Sequence, residues 1–187
     1  MSQRPSFALP SADGPPDSDG PVTLDALLTG QRGAVIIFWS AVCSHCRRYD
    51  ERLNALADAE LPLAVIGCRV GESMQDLEAA KRERGLRFLL LHDTGEVAPT
   101  WNVKQTPTAF LLDSEAQTIY RGAIDDFSYP GTDGHRAYLQ DAMRAHLEGR
   151  SVELATTSAF GCPTNSIYYR WSDVVDIGSG PKTGSES

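Results

Sequence analysis

The feature that most constrains this chain is the stretch Ala34 to Leu56, AVIIFWSAVCSHCRRYDERLNAL, where a short apolar run ends in a Cys-x-x-Cys pair and a helical pattern takes over. Ala34 to Trp39 is uncharged and mostly β-branched or aromatic, which predicts a buried strand. From Cys43 onward, Cys46, Asp50, Leu53 and Ala57 recur at spacings of three and four, with Arg47, Arg48, Glu51 and Arg52 mostly on the other faces, which predicts a helix. Cys43 then stands in the first turn and Cys46 one turn in. Unpaired N–H groups and the positive end of the helix dipole favour a thiolate there, so Cys43 is expected below the free-thiol value of about 8.5. His45, Arg47 and Arg48 add positive potential in the same turn. Cys43 is thus the candidate nucleophile, expected to be accessible, and Cys46 the resolving thiol that closes a disulfide with it. Taken alone, the pair equally suits half of a zinc site.

A chain of 187 residues has room for one domain with extensions. A net charge of -8 argues against nucleic acid or an anionic membrane as partner. No run reaches the roughly 18 apolar residues of a membrane span, and Met1 to Pro10 lacks the apolar core of a signal peptide. The expectation is no membrane insertion, with a cytoplasmic location if Met1 is the native start and a periplasmic one if the sequence is trimmed. Four cysteines are far below the density of a disulfide-stapled scaffold. Cys68 lies in an apolar strand pattern and reads as inert packing, whereas Cys162 sits in a Gly-Cys-Pro turn outside the core pattern.

Along the chain, residues 1–20 read as an irregular lead-in, 21–149 as the domain, and 150–187 as an extension whose Gly/Ser-rich end from Gly178 is expected to be mobile. Leu24 to Leu28 reads as a short helix ending at Gly30. Leu63 to Cys68 reads as a second buried strand, and Ser73 with Asp76 opens a capping-box-like helix that Gly85 ends. Phe88 to Leu91 is a third apolar run, and Thr94 to Trp101 a short helical turn. Thr108 to Asp113 and Thr118 to Gly122 read as an antiparallel hairpin. Asp133 is placed to cap a last helix through Tyr138, Leu139, Ala142, Met143 and His146. Strand alternating with helix gives a parallel α/β core.

Trp39-Ser-Ala-Val-Cys43-Ser-His-Cys46 after a strand resembles the active site of the thioredoxin superfamily, in its TlpA-like and AhpC/TSA-like redoxin branch of thiol-disulfide oxidoreductases. Phe7-Ala-Leu-Pro10 with Asp13-Gly14 and Val22-Thr-Leu24 is similar to the opening of redoxin chains, where it forms an edge strand or hairpin. Trp101-Asn-Val-Lys-Gln-Thr-Pro-Thr-Ala-Phe resembles the stretch that carries a cis-proline opposite the cysteines, with the residue before it pairing with substrate peptide. The resemblance therefore implies a thioredoxin fold, a mixed β-sheet flanked by helices, with Thr106 and Pro107 facing Cys43 and Cys46. It further implies protein disulfides or dithiols as substrates, an unidentified thiol electron donor or acceptor, and no bound cofactor. Gly161-Cys162, with Tyr120 to Asp126, is similar to redoxin-like proteins whose C-terminal segment carries Gly-Cys-x-Ile, and departs from them at Thr164.

The remaining chemistry is a route for the Cys46 proton. Ile37 stands where many thioredoxins have a buried Asp, and Tyr49 where many TlpA-like proteins have Glu. Asp50, one turn beyond Cys46, is the candidate acceptor; the alternative is a solvated carboxylate that only complements the helix dipole. His45 precedes Cys46 as in oxidising relatives with Cys-Pro-His-Cys, but Ser44 replaces the proline, so direction of transfer stays open. Cys162 has three readings: a free thiol, a third redox cysteine exchanging with Cys43, or a metal ligand. Two other functions compete. One is a peroxiredoxin-like thiol peroxidase, disfavoured by Ile36 in place of an upstream proline and by Ser40 in place of Thr. The other is a Cu(I) or Zn(II) module built on Cys43, His45, Cys46 and Cys162.

Overall fold

The computed structural model describes residues 4–13, 20–127 and 136–165. The chain opens with a short antiparallel ribbon, β1 (Ala8–Leu9) against β2 (Val22–Thr23). It leads into α1 (Leu24–Leu28), capped by Thr23, whose hydroxyl accepts the Ala26 N–H at 3.1 Å. Within the expected lead-in, Phe7 and Leu9 are buried against Leu24, Ile36 and Trp101.

The next strand, β3 (Gly33–Trp39), is buried at every position, as a run with no charge on either face demands. Its alternate residues feed two cores. Val35, Ile37 and Trp39 meet Leu53, Leu77 and Leu139 on one face; Ala34, Ile36 and Phe38 meet Leu24, Trp101 and Phe110 on the other. The helix expected after it is broken in two, α2 (Ser44–Arg47) and α3 (Asp50–Leu56). The Tyr49 N–H bonds back to Cys46 O at 2.9 Å, a tighter i to i−3 turn, and Tyr49 is buried with its hydroxyl donating to Asp125 Oδ1 at 2.7 Å. A tertiary partner thus overrides the helical period at this point.

β4 (Leu63–Gly67) lies parallel to β3. α4 (Met74–Arg84) begins with the expected capping box, the Ser73 hydroxyl accepting the Asp76 N–H at 3.3 Å and the Asp76 carboxylate accepting the Ser73 N–H at 2.9 Å. It ends at Gly85, whose φ of +61° is the left-handed cap geometry that glycine adopts without a Cβ penalty. β5 (Leu89–His92), α5 (Val97–Thr100), β6 (Gln105–Thr106), β7 (Thr108–Asp113) and β8 (Thr118–Gly122) follow, then α6 (Tyr138–Leu147) and β9 (Cys162–Pro163). Asp133 and the tail from Gly178 lie outside the described residues, and α6 starts behind Ala137 with no side-chain cap.

The main sheet runs β5-β4-β3-β7-β8, with β3, β4 and β5 parallel and β7 and β8 antiparallel. With helices on both faces, this is the thioredoxin arrangement. Both edges are partly covered, β5 by Ser11 and β8 by Thr156. Among the described residues no helix is long and apolar enough to cross a membrane.

Candidate active site

The site forms where β3 leaves the sheet. Cys43 is the N-cap of α2, and its Sγ accepts the Cys46 N–H at 3.4 Å. Thr106–Pro107 is a cis peptide, and the Cys43 thiol lies 3.4 Å from the Thr106 carbonyl, so the proline loop meets the cysteine pair as the sequence motif implies. All four cysteines are free thiols.

The two members of the pair are electrostatically unequal. Cys43 is held down to about 4, first by a hydrogen bond from the Cys46 thiol, against the upward push of burial, with further help from the Cys162 thiol, the Cys46 N–H and Thr106. Cys46, fully enclosed, is pushed well up by burial first and then by the adjoining Cys43. Such a couple has one thiolate ready to attack and one thiol that holds its proton. Cys68, its Sγ 3.7 Å from the Trp39 carbonyl, is likewise raised by burial and lies in packing.

Cys43 is not accessible, contrary to expectation: it is 1% exposed. The cover is the chain's own C-terminal segment. β9 pairs antiparallel with β6, placing Cys162 opposite Thr106, whose carbonyl lies 3.4 Å from Cys43 Sγ. Burial also pushes the Cys162 thiol up. His45 meets the Phe160 ring edge-on at 5.2 Å, while Ser44 is exposed.

Asp50, the candidate proton acceptor, is engaged in an ion pair. Both of its oxygens accept from Arg84, at 2.7 Å each, and burial raises its carboxyl despite that guanidinium. Arg84 also donates to the Ala41 carbonyl at 2.9 Å and lies 4.9 Å above the Trp39 ring. Trp39 itself is fully buried, edge-on to Phe88.

Two groups escaped the sequence reading. Glu72 is buried beneath the Ser40–Val42 loop, accepting from the Ser40 hydroxyl at 3.1 Å and the Ala41 N–H at 2.6 Å, with Oε2 unpartnered among the described residues. Burial pushes it up to about 7. Asp125, buried, joins Tyr49 to Arg52 behind the pair. Glu72 follows a Gly in a turn and Asp125 follows a strand, so neither carries a local pattern that marks it. Among the described residues no group of three or more His, Cys, Asp and Glu side chains is arranged to hold a metal ion.

The model of the AhpC/TSA family matches residues 2–121. Among solved structures, the fold is similar to an uncharacterized conserved protein from Geobacillus kaustophilus, at 24% identity and TM-score 0.74, over 90% of this chain and 92% of that one. It is similar to a hypothetical protein from Sinorhizobium meliloti 1021, at 24% identity and TM-score 0.73, over 87% and 92%. A thiol-disulfide oxidoreductase from Bacteroides fragilis NCTC 9343 aligns at 19% identity and TM-score 0.51, over 63% and 88%. No curated protein matches the sequence.

Proposed function

Because the chain belongs to the AhpC/TSA family, we propose that it is a thiol-disulfide oxidoreductase acting on protein disulfides through Cys43 and Cys46. The carrying observation is the unequal pair: a Cys43 thiol held near 4 beside a Cys46 thiol held well up, both against the Thr106–Pro107 loop. In the reducing direction, the Cys43 thiolate attacks one sulfur of a client disulfide, and the other client sulfur leaves as a thiolate. Cys46 then loses its proton and attacks Cys43 Sγ, releasing the second client thiolate and leaving a Cys43–Cys46 disulfide. A thiol donor returns the pair to the dithiol. In the oxidising direction the same steps run backwards. A strongly stabilised Cys43 thiolate stabilises the reduced form, which favours the oxidising end of the range between about -270 mV for thioredoxin and about -120 mV for DsbA.

Two measurements test this reading. Insulin reduction driven by dithiothreitol should be lost in Cys43→Ser, and equilibration with glutathione should place the couple above about -200 mV. Retention of activity in Cys43→Ser would sink the assignment. The buried setting of Cys43 favours one second reading, since a peroxide is small enough to reach a sulfur that a peptide cannot. That reading requires Cys46→Ser to consume peroxide and to form a dimedone-reactive sulfenic acid on Cys43.

A further inference from the structure

The segment after α6 does not leave the domain but returns across it to the cysteine pair, fixed at each stage. Arg121 N–H donates to Ala155 O at 2.9 Å and Thr157 N–H to Arg121 O at 3.0 Å, which lays residues 155–157 along β8. The Thr157 hydroxyl lies 2.7 Å from the buried Tyr120 hydroxyl and accepts the Ala123 N–H at 2.9 Å. Beyond the turn, Gln105 Nε2 donates to Ala159 O, Thr164 N–H to Lys104 O at 3.0 Å, and Val70 N–H to Thr164 O at 3.1 Å. Between these anchors the backbone runs so close to the proline loop that a Cβ on Gly161 would stand 1.9 Å from Thr106 O and 3.2 Å from Pro107 Cδ. Only glycine permits that approach, and its consequence is the next residue: Cys162, in register with Thr106, packs against the cluster that holds Cys43, whose Sγ lies 3.4 Å from Thr106 O.

We propose that Cys162 is a third redox-active thiol, delivered to Cys43 by β9 pairing, and that the oxidised protein interconverts a Cys43–Cys46 and a Cys43–Cys162 disulfide. The proposal rests on the exchange chemistry assigned above to Cys43. In the interconversion, Cys162 loses its proton and its sulfur attacks Cys43 Sγ. The S43–S162 bond forms, the S43–S46 bond breaks, and the electron pair departs on Cys46 Sγ, which takes up one proton. No electrons enter or leave the protein, and one proton is lost as one is gained. Cys46 lies one turn along α2 with its N–H on Cys43 Sγ, and Cys162 lies opposite Thr106, whose carbonyl is 3.4 Å from that sulfur, so the exchange needs a short motion and no remodelling of the sheet. Cys162 is also the more exposed of the three thiols, so it is the sulfur through which a covered Cys43 communicates with the outside.

The test uses the full chain carrying Cys46→Ser, oxidised with glutathione disulfide and mapped by mass spectrometry after non-reducing digestion. The expected product is an intramolecular Cys43–Cys162 peptide in monomeric protein, in excess over glutathionylated Cys43. Adding Gly161→Val should lower its yield by about tenfold or more, the change that about 1.4 kcal/mol of strand displacement gives. The Gly161→Val chain with Cys46 intact should still form Cys43–Cys46, which separates misfolding from loss of the cover. A Cys46→Ser product with only glutathione on Cys43 and a free Cys162 overturns the proposal, as does a Cys43–Cys162 link found only in dimers. If insulin reduction by the unaltered protein survives either result, the exchange function stands and only the role of Cys162 is lost.

Discussion

Glu72→Gln should tilt the stability of the reduced protein upward with pH. The Glu72 carboxyl is 8% exposed, and burial raises it from the ordinary 4.5 to about 7. Between those values the folded protein keeps a proton that the unfolded chain has released. The contribution is therefore fully present below about 4.5 and is lost as pH rises through about 7. At 1.36 kcal/mol per unit, the span of roughly 2.5 units amounts to about 3.4 kcal/mol. Cys43 works in the opposite sense. Its folded value of about 4 lies below the free thiol's 9.0, so its contribution is present above the unfolded value and is lost as pH falls toward 4. Across pH 5 to 7 the two slopes oppose each other, and the unaltered protein shows little net dependence from this pair. Gln keeps an acceptor for the Ala41 N–H and does not titrate, so the variant retains only the rising Cys43 slope. The stability of the variant relative to the unaltered protein should therefore climb by about 2.2 kcal/mol between pH 5 and pH 7, short of two full units' worth because the slope flattens at each midpoint. With a urea m-value of about 2 kcal/mol/M, the midpoint difference shifts by about 1.1 M. The assay is urea denaturation of phosphine-reduced protein at pH 5, 6 and 7. Parallel midpoint profiles for the two proteins would refute the reasoning.

Arg84→Met should cost about 3 kcal/mol, because it leaves the enclosed Asp50 carboxylate without its partner. Asp50→Asn added to it should recover part of that loss, giving a coupling above about 1 kcal/mol in a double-mutant cycle read by urea denaturation. Additive single effects would show that the pair is not coupled. Cys162→Ala removes a thiol that helps to hold Cys43 down, and so should raise the Cys43 titration. Thiolate absorbance near 240 nm follows that midpoint, and alkylation of Cys43 by iodoacetamide at pH 7 should quicken as the cover opens. An unmoved midpoint would count against the Cys162 contact.

What was legible in the sequence is what local chemistry decides. Ser73 and Asp76 satisfy each other's N–H groups within one turn, and Gly85 supplies a left-handed cap, so α4 matched its expected bounds nearly to the residue. β3 is apolar on both faces, which only a central strand tolerates. The features that escaped depend on groups remote in the chain. The helix break at Tyr49 is set by a hydroxyl reaching Asp125, 76 residues on. Glu72 has no periodic signature because its burial comes from the Ser40–Val42 loop, and the enclosure of Cys43 comes from a segment that hydrophobic pattern assigns to no element.

The covering strand and the low Cys43 titration are two aspects of one contact. Burial alone raises a thiol, and does so for Cys46 and Cys68, whose surroundings are dominated by desolvation. Cys43 too is cut off from solvent, yet it is held far lower, because donors outweigh burial there: first the Cys46 thiol, then the Cys162 thiol and the Cys46 N–H. Such a thiolate is stable but a weakened nucleophile, since nucleophilicity falls with pKa. Lifting β9 away removes one donor and the steric cover together. The same displacement that admits a client thus moves the Cys43 titration toward ambient pH, where the attacking thiolate is most effective. On this reading the segment couples access to reactivity, with Gly161 as the residue that lets it seat and Cys162 as the residue that senses whether it has.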